Sequence, residues 1–316
     1  MDFLKNAHEY GKEKHGCDHM LVVIANPTAH NGKAASLIDA VCQLLKERGL
    51  AYRCDTTQYV GHAMRLADSA FREGADGIVC VGGDGTVNEV ISGLAGRHMT
   101  LYLVPCGTGN DFVKVLSLPK DPLKALECQL NSPTCPVDIG QVNDRYFLNV
   151  AGTGFDVEVL RQAARFKWLI GGLLPYLCGV VAALRRFKPM DIELTIDGKT
   201  EKRRITIISI GNGQYLGGGM RAVPQANPMD GLFDVVYVDA VNRRTIARLL
   251  PLFIKGTHTG LPIAHCTRCT EVVINSPGMT FNLDGELHDM DRAFCRMLPG
   301  ALTLHLPDED EPVKRR

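Results

Sequence analysis

Between residues 21 and 119, short apolar runs alternate with stretches whose apolar residues recur at helical spacing. The runs at 21–25, 51–55, 77–81 and 101–104 read as strands, and 34–48, 62–72 and 87–94 read as helices. Strands alternating with helices need crossover connections, which predicts a mainly parallel sheet covered on both faces. After Pro136 the period changes. Segments 137–142 and 145–150 flank Asn143-Asp144, and 192–196 and 204–210 flank Asp197-Gly198, so both pairs read as hairpins. Further strands are expected at 233–238, 271–274, 280–283 and 301–306. The pattern predicts an α/β domain over 21–133 and a mostly antiparallel β-sandwich over 134–299, with polar ends at 1–20 and 308–316.

Composition narrows the function classes. A chain of 316 residues can bury two modest cores. Its 35 basic and 35 acidic residues cancel, which argues against a nucleic-acid binder. The first 20 residues lack the apolar core of a signal peptide. Eleven cysteines, an odd number scattered through apolar runs, read as reduced thiols of a cytoplasmic protein. Cys266 and Cys269 beside His265 form one Cys-x-x-Cys, and a zinc site needs a second pair.

Residues 168–184 carry no charge, but Gly171, Gly172, Pro175 and Gly179 break the run, so it is too short and too interrupted to span a bilayer. Arg161, Arg165 and Lys167 precede it, Arg185, Arg186 and Lys188 follow it, and no acid lies between Glu158 and Asp191. That pattern suits either docking on an anionic membrane surface or a pair of core helices with solvated ends.

The chemistry concentrates in three short motifs. In the first, a strand ends in Gly82, Gly83 and Gly85 around Asp84, and a helical pattern begins at Thr86. Glycines let backbone amides approach a ligand, and a helix start favours phosphate. A lone carboxylate there would repel phosphate unless Mg²⁺ lay between, which points to a metal–nucleotide complex. Thr86 and Asn88 can bond a nucleotide or cap their own helix, and Glu89 can complement the dipole. The second motif, Gly107-Thr108-Gly109-Asn110-Asp111, also links a strand to a helix, where Asp111 can act as a cap. Ligands of parallel sheets sit at the carboxyl ends of strands, where Asn26 and both motifs fall. In the third, Asp284 and Glu286 flank Gly285, so both carboxylates can point at one spot. Residues 211–219 form a glycine-rich loop expected to line a cleft.

Gly-Gly-Asp-Gly-Thr-x-Asn-Glu, Gly-Thr-x-Asn-Asp and Leu-Asp-Gly-Glu, in this order, resemble the diacylglycerol-kinase catalytic family, and within it the soluble bacterial lipid kinases. The resemblance covers residues 21–307. It implies a nucleotide-binding first domain to which the chain end at 300–307 returns, and a lipid-substrate second domain. It implies ATP bound near Asn26, Lys33, Thr57, Gly82, Gly83, Gly85, Thr86, Asn88, Gly107, Thr108 and Asp111. Mg²⁺ would join Asp84 and Asp111 through water, with Asp138 as a third member, and a structural Mg²⁺ would sit on Asp230 and the carbonyl oxygens of Asn227 and Leu232. Glu286 would be the general base for the lipid hydroxyl, and Asp284 would position it. The expected protein is a cytoplasmic, peripherally membrane-associated kinase of diacylglycerol or a related lipid. Sphingoid-base and ceramide-type kinases share these motifs. NAD kinases and phosphofructokinases share only the glycine turn. A lipid sensor with little turnover would need no Asp284–Glu286 pair. Neither the acceptor nor an oligomeric state is legible here.

Overall fold

The computed structural model describes residues 20–29, 34–94, 97–165 and 174–307. They divide into two compact units, one up to Gly107 with Pro119–Cys135 and the chain from Thr303, the other comprising Thr108–Leu118 and Pro136–Leu302.

The first unit follows the alternating pattern of its sequence. Its elements are β1 (Met20–Ala25), α1 (Ala34–Glu47), β2 (Ala51–Thr56), α2 (His62–Arg72), β3 (Gly77–Gly82), α3 (Asp84–Leu94) and β4 (Thr100–Pro105). After α4 (Asp111–Val115), which belongs to the second unit, comes α5 (Pro122–Leu130). β1 pairs in parallel with β2 and β3, and β3 in parallel with β4. Every residue of β3 is buried, which is why that strand reads as an unbroken apolar run rather than an alternating one. On one face Ile38, Val41 and Leu45 of α1 pack against Val23, Val79 and Val104. α2 and α3 approach so closely that a Cβ at Gly93 would collide with the Met64 carbonyl. Helix α5 begins at Pro122 behind the Asp121 side chain, which accepts from Lys124 N at 2.9 Å. Its fully buried Gln129 both donates to and accepts from the backbone of Leu103, each at 2.8 Å, so a side-chain amide completes the bonding of β4.

The second unit is strand-rich. It contains β5 (Thr134–Val142), β6 (Arg145–Phe147), β7 (Val150–Gly154), α6 (Phe155–Arg165), α7 (Leu174–Arg186), β8 (Met190–Ile196), β9 (Lys199–Gly211), β10 (Phe233–Asp239), α8 (Arg243–Lys255), β11 (Ala264–Cys269), β12 (Glu271–Leu283) and β13 (Glu286–His305). β7 and β8 each pair antiparallel with both β9 and β12, so these four strands close a ring. Phe147, Phe233 and Phe281 fill its core. The β8–β9 hairpin turns through Asp197 and Gly198, with φ of 43° and 82°, the left-handed pair that a two-residue turn requires. At its far end β13 pairs Thr303 and Leu304 in parallel with Thr100 and Leu101 of β4, inside the first unit.

Four boundaries depart from the sequence reading. The strand expected at 145–150 is two, because the amides of Leu148 and Asn149 turn to a side chain instead of a ladder. The strands expected at 271–274 and 280–283 are one, β12, with a register shift between Asn275 and Met279 and Gly278 at φ 67°. β13 begins at Glu286, because its first half is charged and carries no apolar run. α8 was not anticipated at all, since Pro251 inside it reads as a breaker.

Candidate functional site

In the first unit the carboxyl ends of the parallel strands are tied edge to edge. Thr57 N donates to Ala25 O at 2.8 Å, Asn26 N to Val81 O at 3.0 Å and Cys106 N to Gly82 O at 2.8 Å. Each residue after a strand thus extends the ladder by one bond and makes a stiff rim. Asn26 is held further, accepting from Thr28 N at 3.0 Å and donating from Nδ2 to Thr86 Oγ1 at 3.3 Å. Two residues expected near a nucleotide, sixty positions apart, are therefore in direct contact. Lys33 lies outside the described residues.

Helix α3 begins at Asp84, earlier than the pattern suggested, so Asp84, Gly85 and Thr86 form its first turn. Val87 N makes the first bond back, to Gly83 O at 3.1 Å. The amides before it belong to the helix end that attracts anions. The three glycines differ in what demands them. A Cβ at Gly82 would lie 2.5 Å from Thr86 Cβ, and one at Gly83 would lie 3.0 Å from Gly107 Cα. At Gly85 a Cβ would meet nothing within 4 Å, and no positive φ requires glycine there. Asp84 and Asn88 are half-buried and Thr86 is buried. Glu89 departs from its expected part: its carboxylate accepts from Gly61 N at 2.8 Å and Ala63 N at 3.1 Å, capping α2 rather than complementing its own helix.

In the second unit the paired acids have separate tasks. Asp284, at φ 49°, accepts from Leu148 N at 2.6 Å, Asn149 N at 2.9 Å and Val150 N at 3.0 Å. Its oxygens face that loop, so the expectation that both carboxylates converge on one spot is corrected. Asp284 anchors the turn, and Glu286 opens β13 with a mostly exposed side chain. Its neighbour is His288, Nε2 to Oε2 3.8 Å, which the motif reading missed although Glu286 and His288 sit two apart on one strand face. Burial and Arg145 push the His288 imidazole below its ordinary value, against the pull of Glu286.

The remaining acids are also committed. Asp111, buried, accepts from Lys114 Nζ at 2.9 Å and Gly218 N at 2.7 Å, tying α4 to the glycine-rich loop. Thr108 before it is exposed and Gly107 half-buried. Asp138, also buried, accepts from Gly231 N and Gly300 N, each at 2.7 Å. These two partners account for Asp138 as a structural tie, in place of the third member of a magnesium network. Asp230 accepts from Leu232 N at 3.1 Å and pairs with Arg268, which also reaches Asp234 at 3.5 Å. Asn227 accepts from Met229 N at 3.2 Å. A guanidinium therefore stands where a cation on Asp230 was expected, and this stretch does not fit a structural Mg²⁺. Among the described residues no group of three or more His, Cys, Asp or Glu could hold a metal ion. Cys266 is exposed and Cys269 buried on β11, so the Cys-x-x-Cys does not present two ligands together.

These features place a phosphate-suited rim in one unit and an exposed glutamate on an anchored turn in the other. A model of the diacylglycerol kinase catalytic domain matches residues 20–142, and one of the YegS C-terminal NAD kinase beta sandwich-like domain matches residues 149–306. A diacylglycerol kinase of Mycobacterium tuberculosis is 31% identical over 311 residues, 95% of this chain and 96% of that protein. This chain belongs to the diacylglycerol kinase family. Membership makes it a lipid kinase, with ATP as the phosphoryl donor that kinases use. A diacylglycerol kinase of Bacillus subtilis is 32% identical over 283 residues, 88% of this chain and 91% of that protein. The fold is shared with the crystal structure of a diacylglycerol kinase from Bacillus anthracis, at TM-score 0.76 over 93% of this chain and 99% of that one, with 24% identity. Among the described residues of this family member no helix is long and apolar enough to cross a membrane.

Proposed function

We propose that this lipid kinase transfers the γ-phosphoryl group of ATP to the free hydroxyl of diacylglycerol, giving phosphatidate. The observation that carries the nucleotide side is Gly85, a glycine that neither packing nor backbone conformation demands, at the anion-attracting end of α3. A bare Cα there leaves room for a phosphate against the first-turn amides. Asn26, Thr57, Thr86, Asn88 and Gly107 border the same strand ends, and Thr108, Asp111 and Lys33 are proposed as further nucleotide contacts.

Asp84 fits a magnesium ligand, being a half-buried carboxylate on the turn that would hold the phosphates. Mg²⁺, when bound, offsets the charge of the transferring group. Glu286, mostly exposed, takes the proton of the lipid hydroxyl as the new O–P bond forms and the bond to the ADP leaving group breaks. Asp284 holds the turn from which Glu286 projects. The exposed Arg185 and Arg186 in the last turn of α7, with Lys188 just after it, are proposed to meet an anionic membrane surface.

The diacylglycerol acceptor is supported by the names of the relatives. Incubating purified protein with labelled ATP, Mg²⁺ and a panel of diacylglycerol, ceramide, sphingoid base and glycerol tests it. Label appearing chiefly in phosphatidate is expected. Preferential labelling of ceramide or sphingoid base would replace the acceptor, and hydrolysis of ATP indifferent to lipid would sink the reading.

A further inference from the structure

Glu286 is the group that must meet the lipid hydroxyl, yet little fixes its carboxylate. The bonds that Asp284 accepts from Leu148, Asn149 and Val150 hold the backbone of the turn, while the Glu286 side chain is 58% exposed. Among the described residues one side chain comes within ion-pair reach of it, His288, with Nε2 3.8 Å from Oε2. The imidazole is itself well seated. His288 stands opposite Phe281 on β12, as Glu286 stands opposite Leu283, and both of those partners belong to the apolar core of the second unit. Side chains paired across strands lie beside one another, so the ring rests on the rim of that core and is only 19% exposed. A seated ring is thus placed next to a solvent-facing carboxylate.

The charges that face the ring are Arg145 of β6, Asp144 in the turn before it, and Glu286 and Asp289 of β13 itself. Burial and Arg145 outweigh the three acids and hold the imidazole below its ordinary value of 6.5, so at neutral pH it carries one N–H and no charge. That suits the neighbour of a base. A carboxylate only accepts, so the tautomer with its proton on Nε2 can orient it. A cation in the same place would stabilise the ionised carboxylate and weaken it as a proton acceptor. At 3.8 Å the pair is too long for a hydrogen bond, and a shift of about 1 Å closes it. Catalytic hydrogen bonds are commonly long in the free enzyme and tighten when substrate binds.

We propose that His288 is a positioning residue for phosphoryl transfer: its Nε2–H donates to Oε2 of Glu286 and leaves Oε1 aimed at the lipid hydroxyl. This rests on the reading of Glu286 as the base. In the step, the hydroxyl proton passes to Oε1, the new O–P bond forms, and the bond from the γ-phosphorus to the ADP oxygen breaks. His288 exchanges no proton in it; its part is to hold one orientation of the carboxylate, on which the rate of a positioned proton transfer depends. As pH falls through the depressed value of His288, the ring gains a charge, and Glu286 becomes an ion-paired and weaker acceptor.

The test uses the full chain, labelled ATP, Mg²⁺ and detergent-dispersed dioctanoylglycerol. His288→Leu should lower kcat about tenfold, the worth of one hydrogen bond, with the KM for ATP unchanged. His288→Gln, which offers an N–H that does not titrate, should recover most of that loss and hold its kcat to lower pH than the wild type. In a Glu286→Gln background His288→Leu should cost nothing further, because the group it positions is gone. An equal loss in that background overturns the proposal, since the effect would then not pass through Glu286. So does a His288→Leu enzyme with the kcat and pH profile of the wild type. Should His288→Leu fail to fold, the pH profile of His288→Gln still decides, and an acid limb identical to that of the wild type overturns the role. Normal kcat in Glu286→Gln alone overturns the reading of the base, and this proposal with it.

Discussion

A methyl group added at Gly85 would meet nothing within 4 Å, whereas one at Gly82 would lie 2.5 Å from Thr86 Cβ. The two alanine variants therefore separate ligand chemistry from packing. In a helix alanine is better than glycine by about 1 kcal/mol, so Gly85→Ala should melt no lower than the wild type while binding ATP more weakly. Gly82→Ala should lose about 1–3 kcal/mol from overpacking. Calorimetric melts and ATP titrations check both, and undiminished ATP affinity in Gly85→Ala would mean that the position faces plain solvent. The two acids of the third motif separate in the same way. Glu286→Gln should leave stability intact and cut kcat by about 10²–10⁴-fold, the range of general-base catalysis. Asp284→Asn replaces a carboxylate that gathers three amides, and each charge-assisted bond is worth about 1.5–3 kcal/mol. Its unfolding midpoint in urea should fall clearly, and a Glu286→Gln enzyme with normal kcat would remove the base assignment.

At the scale of elements, the apolar segment between Glu158 and Asp191 resolves into parts with different tasks. Phe155, Val159, Val180, Ala183 and Phe187 pack with Ile246 of α8, and a Cβ at Gly179 would lie 2.8 Å from Ala163 N. α6 and α7 are thus core helices on one side. Among the flanking cations, Arg161 bonds Thr280 and approaches Asp289 at 3.6 Å, so it is occupied within the fold. Lys167 and Trp168 lie outside the described residues. Arg185, Arg186 and Lys188 remain exposed. A basic residue near an anionic bilayer is worth about 1 kcal/mol. Replacing these three with glutamine should therefore weaken binding to phosphatidylserine vesicles by about two orders of magnitude at low salt, with turnover on dispersed short-chain lipid retained. Co-sedimentation measures this, and unaltered vesicle binding would leave the segment purely structural.

For the whole molecule, one buried and one half-buried imidazole set an acid limit on stability. Burial holds the His258 imidazole below its ordinary value of 6.5, and burial with Arg145 does the same for His288. A folded imidazole with a depressed value binds fewer protons than the unfolded one. Its contribution is present above the ordinary value and is lost as pH falls through the depressed one. The carboxyls of Asp156 and Asp234, raised chiefly by burial, act with the opposite sign from a lower starting point. The difference between wild type and His258→Phe isolates the histidine. Urea midpoints should decline below about pH 6.5 in the wild type, and less steeply in His258→Phe, which keeps a ring against Phe253. Parallel slopes in the two proteins would exclude His258 as a cause.

The alternation of strands and helices up to Pro105, the hairpin turn at Asp197-Gly198 and the three carboxylate motifs were legible in the chain because they depend on local spacing and on glycine. Periodicity also placed α2 at its observed ends, His62–Arg72. What a side chain does once placed was not legible. Asp111, Asp138 and Asp230 carry the residue type of metal ligands, yet Lys114 with Gly218, Gly231 with Gly300, and Arg268 with Leu232 take their oxygens. Most of those partners lie far along the chain and reach these acids only through the closing of the strands. The register of β7 against β9 and β12 likewise turned the amides of Leu148 and Asn149 onto Asp284. The cavity lined by Asp156 and His258 in the second unit had no sequence signature, since its walls come from α6, β9 and α8, segments far apart in the chain. Local spacing determines which residues can form an element; the competition for each buried donor and acceptor is decided only when distant segments meet.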